Sequence, residues 1–200
     1  MEQIPDYSDT RNKAWCIHCG DWLTETETNR DHVPSKSLLL KPYPVDLPVV
    51  EICKACNTSF SQDEQYFVGF LGSVIAGTTN PDQQKIPTAK RILERNEKLR
   101  ARIGRSHNPF TTIGGQAKSV WMPETDRINN VIIKNARGHA MYEYGEPMLS
   151  EPVSIWSAPL ELLRAEERQT FETVDFGGLF PEVGSRMMTR VLTAQDLMDG

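Results

Sequence analysis

The chain has 200 residues, 38% of them apolar, with 22 Lys or Arg against 27 Asp or Glu for a formal charge of −5. That much apolar material builds a core and argues against a wholly disordered chain, and the length suits one medium domain or a small domain with an elaboration. The acidic balance does not announce a nucleic-acid binder, so any such role requires a local basic stripe.

Met1 to Asp9 is acidic and polar, unlike a signal peptide, and no apolar run approaches bilayer thickness. A cytoplasmic, reducing location with no membrane partner is therefore expected. Met1 to Thr10, containing Pro5, reads as a loose lead-in. Cys16-Ile17-His18-Cys19 then predicts a zinc knuckle closed by Gly20, with Trp15 and Trp22 packed beside it. In Asp31-His32-Val33-Pro34 the proline disfavours helix at Val33 and makes the Asp-His pair the end of an extended strand. Pro42, Pro44 and Pro48 keep the connection extended until Val49 to Ile52 forms a second strand. Cys53 and Cys56 give a second knuckle, and Asn57 falls in the first turn of a helix opening there.

Ser61 and Glu64 have capping-box spacing, and Phe67, Phe70, Leu71, Val74 and Ile75 recur at helical spacing up to Gly77. One bent helix or two abutting ones would carry that apolar face into the core. A further helix is predicted from about Pro87 to Gly104, with Ile92, Leu99 and Ile103 inward. On it Arg91, Arg95, Lys98, Arg102 and Arg105 fall within one quarter of the circumference, which is the basic stripe sought. Its two readings are a solvated face and a DNA contact. Residues 106–116, with Gly114-Gly115, read as a mobile connection at which a domain boundary could fall. Beyond it a helix is expected over Asp126 to Ala136, a short strand over Met141 to Tyr144, and a helix over Leu160 to Phe171. The organisation expected is a finger over 11–60, a helical extension over 61–105, and a mixed, mainly helical region over 106–200 without a chemical motif.

The four cysteines are the only ones present, and two Cys-x-x-Cys pairs match a closed, structural zinc site better than disulfides in a reducing compartment. Disulfides and buried free thiols are the alternatives. Between and after the pairs stand groups suited to phosphodiester hydrolysis, which needs a base for water and a hard cation for the phosphate. Neutral His32 can accept a proton, and Asp31 and Asn57 are oxygen ligands of the kind magnesium takes. Against this, His32 could merely brace the finger and Asn57 could cap its helix. His18 reads as a solvated turn residue, and Asp63 and Glu64 as runner-up metal ligands whose ordinary task is the helix dipole.

From Cys16 to Asn57 the chain resembles the HNH endonucleases, nucleases with a ββα-metal fold. The resemblance implies an α+β fold: a small zinc-stapled ββα-metal finger followed by a mainly α-helical elaboration. It implies that His32 is the general base, that Asp31 and Asn57 hold a catalytic Mg2+ or Mn2+, and that Cys16, Cys19, Cys53 and Cys56 hold structural zinc. Two positions depart from the family. The middle polar residue, usually asparagine, is Asp46, and the lysine often found three places after the helix asparagine is Phe60, leaving Lys54 or the basic helix to supply that phosphate contact. The function expected is hydrolysis of double-stranded DNA, with room for a homodimer or a partner subunit. The alternatives are a zinc finger that binds nucleic acid without cutting and a zinc-stapled interaction module.

Overall fold

The computed structural model describes residues 2–5, 13–145, 147–153, 155, 157 and 163–172, with no account of the side chains of 2–5, 143, 144 and 170–172. Strand β1 (Glu2–Pro5) runs parallel to β3 (Asp46–Cys53), and β2 (Thr28–His32) runs antiparallel to β3 on its other side. The expected loose lead-in is thus partly a strand. Its backbone pairs with the first half of β3, Glu2 opposite Asp46 and Pro5 opposite Val49, and Pro5 is tolerated because it lies on an edge strand at its end. The β2–β3 register places Asp31 opposite Val50 and His32 opposite Val49.

Helix α1 (Lys54–Ala76) follows β3 without a break, giving the order strand, loop, strand, helix. It is one continuous helix ending at Gly77, whose φ of 69° is the left-handed cap that glycine adopts without strain. The capping-box reading of Ser61 and Glu64 does not hold: Ser61 Oγ donates to Thr58 O, and Glu64 reaches other partners described below. The apolar face also differs. Tyr66, Val68, Gly69, Phe70, Gly72 and Ser73 are buried, whereas Leu71, Val74 and Ile75 are exposed. Small residues face inward because α2 (Pro87–Arg95) comes close; a Cβ on Gly72 would stand 2.3 Å from the Ala89 Cβ.

The single helix expected over 87–104 is two. Asn96 leaves the helical region at φ −120° and ψ 84°, and its Oδ1 accepts from Leu99 N at 3.0 Å to cap α3 (Glu97–Gly104). Residues 106–116 are not a bare connection but enter a hairpin of β4 (His107–Thr111) and β5 (Ala117–Trp121). Helix α4 (Thr125–Tyr144) runs through Gly138, so the strand expected at Met141 to Tyr144 is absent. Gly138 marks a close approach rather than a stop: a Cβ there would lie 2.7 Å from Val33 Cγ2. Helix α5 (Ala165–Glu172) overlaps the last helix expected, whose first residues lie outside the described set.

Two apolar clusters result. Cys16, Ile17, Leu23, Val33, Val50, Ile52 and Cys53 pack with Met141 and Tyr142 from the end of α4. Tyr66, Phe70, Leu93, Leu99 and Ile103 pack with Ile92, Trp121 and, from the start of α4, Ile128. Helix α4 therefore ties the finger to the helical layer, and its middle turn lies between the two cores. No helix among the described residues is long and apolar enough to cross a membrane.

Candidate functional site

The bridge between Trp15 and Trp22, whose rings meet edge-on at 4.7 Å, closes the loop that presents Cys16 and Cys19. Backbone bonds from Cys16 N to Asp21 O and from Gly20 N to Cys16 O, at 2.8 and 2.9 Å, tighten it, with Gly20 at φ 80°. Cys53 ends β3 and caps α1, its Sγ accepting from Cys56 N at 3.3 Å. The four Sγ atoms lie within 4.8 Å of one another, and those of Cys19 and Cys53 are 3.8 Å apart. Zinc–sulfur bonds of about 2.3 Å in a tetrahedron require sulfurs about 3.8 Å apart, so the cluster has the size and the soft donors for zinc. All four are free thiols rather than disulfides. Burial pushes the Cys19 thiol up to about 11 and, aided by the neighbouring sulfurs, pushes Cys56 up as well. A bound cation would supply the missing counter-charge and hold them as thiolates.

Beside this cluster lies a buried polar network that has no local signature in the sequence. Lys134, in the middle of α4 and 2% exposed, donates from Nζ to Asp31 Oδ1 at 2.8 Å, Ser35 Oγ at 2.7 Å and Glu64 Oε1 at 2.5 Å. Its three donors are thereby all used. Ser35 Oγ donates to Glu64 Oε1, Ser37 Oγ donates to Glu64 Oε2, and Ser35 N donates to Asn135 Oδ1. One ammonium thus joins β2, the loop after it, α1 and α4. Burial raises the Asp31 carboxyl above the ordinary carboxylate range, and Lys134 opposes that rise.

His32 follows Asp31 on β2, so its side chain leaves the opposite face of the strand. It is half-buried, and burial first, then the charges of Lys36, Lys134 and Arg30, lower its pKa. Its ring is neutral at physiological pH, the form a base requires. Asn57 is the fourth residue of α1 rather than its cap, and by helical spacing it shares a face with Phe60 and Glu64. Phe60 meets the His18 ring edge-on at 4.8 Å and lies 5.9 Å from Lys134 Nζ. His18 is not a solvated turn residue: both ring nitrogens are buried without a hydrogen-bond partner among the described residues. Burial, then Lys134 and Arg137, lower its pKa to about 4.

The remaining expected positions are spread out. Asp46 opens β3 as an exposed strand residue opposite Glu2 rather than sitting in the loop, and it stands three residues, roughly 10 Å, beyond the Val49 that faces His32. Lys54 pairs with Glu27 at 2.5 Å. Arg91 and Arg95 end up on α2, Lys98 and Arg102 on α3, and Arg105 just beyond it, so the break at Asn96 interrupts the single stripe. All five are exposed, and Arg102 forms two hydrogen bonds to the Glu124 carboxylate. Asp63 is taken by Arg127 at 2.8 Å and by Asn130, and Glu64 by Lys134, which removes both as metal ligands.

A hard divalent cation is served less well than zinc. Of its two expected ligands Asn57 is half-exposed, but Asp31 is already neutralised by a buried ammonium, so the donor set as arranged does not fit. Comparison with protein-family models, with curated proteins and with solved structures finds no match for this chain.

Proposed function

We propose that this chain is a zinc-stapled nuclease of the HNH type that hydrolyses phosphodiester bonds of DNA, with His32 as general base. The observation that supports this most is the order strand, loop, strand, helix with the cysteine cluster at its root: Thr28 of β2 lies opposite Cys53, where β3 passes into α1, and Asp31 and His32 lie at the other end of the same strand pair, opposite Val50 and Val49. Zinc is structural in this reading, since four sulfurs leave it no open position. His32, neutral near pH 7, takes the proton of a water that attacks phosphorus, and the bond to the 3′ oxygen breaks opposite, the departing oxygen taking a proton from solvent. No step is assigned to magnesium or manganese, because Lys134 holds Asp31. Purified, reduced, zinc-loaded chain incubated with supercoiled plasmid, linear duplex, single-stranded DNA and RNA, with and without Mg2+ or Mn2+, tests the reading. Nicked or linear DNA supports it, and intact substrate in every lane overturns it.

The Lys134–Asp31 pair favours a second reading, a finger that binds DNA without cutting. An internal cation at Asp31 makes a stable strut and a poor metal site. Salt-sensitive duplex binding with no cleavage would support it.

A further inference from the structure

The hairpin β4–β5 stands away from both cores. Every residue of β4 after His107 and every residue of β5 before Trp121 is exposed. Its root is fixed: the His107 and Trp121 rings stack at 4.3 Å, Trp121 meets Phe70 edge-on at 6.4 Å, and Met122 N donates to Ser106 O at 3.0 Å. Its tip is closed by bonds from Thr112 N to Gln116 O and from Gly115 N to Thr112 O, with Gly115 at φ 76°. Ile113 at the tip is 110% exposed, and Phe110 and Val120 are about half exposed. Such an anchored ribbon of unburied apolar residues demands a partner.

Charge identifies that partner. Although 27 of the 200 residues are acidic, none lies between Lys98 and Pro123, a stretch that contains Lys98, Arg100, Arg102, Arg105 and Lys118. In the antiparallel register Phe110 faces Lys118 and Asn108 faces Val120, so these four share one face. Trp121, on the other face, turns toward the body. The free face therefore combines a cation with flat apolar groups, at the end of a run of sequence without acids, in which Arg100 and Arg102 are paired with Glu97 and Glu124 from either side of it. Strand addition by a protein partner along β4 is disfavoured because Pro109 interrupts its donor row.

We infer that the β4–β5 hairpin is an arm that lies in the major groove of B-form DNA, with Lys118 and Arg105 on phosphates and Phe110, Ile113 and Val120 against sugar and thymine methyl groups. The B-DNA major groove admits a two-stranded ribbon, whereas the deep, narrow major groove of A-form RNA does not. The arm rests on the reading of the chain as a DNA-directed protein but not on catalysis.

Fluorescence anisotropy of the full chain with a labelled DNA duplex, without added divalent cation and over a range of salt, tests it. Lys118→Glu should weaken binding at least tenfold and flatten the log affinity against log salt slope by about one unit. The paired change Phe110→Ser with Val120→Ser should weaken binding at least fivefold at unchanged slope. Both hairpin variants change exposed residues, and circular dichroism matching the parent confirms their folding. Parent-like binding by both hairpin variants, equal affinity for duplex RNA, or no binding by the parent would overturn the arm. Cleavage by parent and hairpin variants alike would leave the nuclease reading standing without the arm; lost binding in the variants with no cleavage by any form would do the reverse.

Discussion

Replacing Lys134 by methionine should destabilise the fold by about 4 kcal/mol, the middle of the range for breaking a buried ion pair. The side chains concerned are 2% exposed for Lys134, 10% for Asp31 and 17% for Glu64, so solvent screens them little. Methionine fills the volume but leaves two carboxylates near one another without a cation. For a chain of this length the midpoint of thermal unfolding should fall on the order of 10 °C. The loss should shrink as pH is lowered from 8 to 5. Burial already raises the Asp31 pKa above its unfolded value, and without Lys134 it rises further. A carboxyl whose folded pKa is raised contributes stability below its unfolded pKa, and that stability is lost as pH rises through the folded value, so the variant is weakest in alkali. Chemical denaturation at both pH values measures this, together with a double-mutant cycle to Asp31→Asn, whose coupling should exceed about 1 kcal/mol. A loss below about 1 kcal/mol, additive with Asp31→Asn and flat in pH, would refute the strut.

Zinc should copurify at one per chain in reduced protein, and Cys53→Ala should abolish it and unfold the finger, because such sites contribute on the order of 10 kcal/mol to folding; elemental analysis showing no zinc would contradict this. His18→Phe should gain stability relative to the parent as pH falls. The folded pKa of His18 is lowered to about 4. Below the ordinary value near 6.5 the unfolded chain takes up a proton that the fold refuses, which costs the parent about 2 kcal/mol at pH 5. Denaturation midpoints of parent and variant at pH 7.5 and 5 that move in parallel would show the imidazole to be solvated instead.

The finger was legible because its signals are local: cysteine spacing, a proline after Asp31-His32, and β-branched residues before Cys53. The helical layer was legible in outline, but glycines carry no hydropathy, so the inward faces of Gly69, Gly72 and Ser73 were hidden behind the louder Leu71, Val74 and Ile75. Asn96 has the identity of a cap, but the helical pattern of the residues on either side runs through it unbroken. Lys134 is 103 residues from Asp31, and no spacing rule spans that distance. Its one trace was a lysine three residues after Val131, within the apolar stripe of α4.

The nicking rate of supercoiled plasmid under single turnover, compared between the parent and His32→Ala, tests the proposed function most directly. A loss of at least about 100-fold is expected, the usual share of a general base. The parental rate should be flat above pH 7 and fall only on the acid side of the ordinary histidine range, because the His32 pKa is lowered. Equal rates in parent and variant would contradict the proposed function.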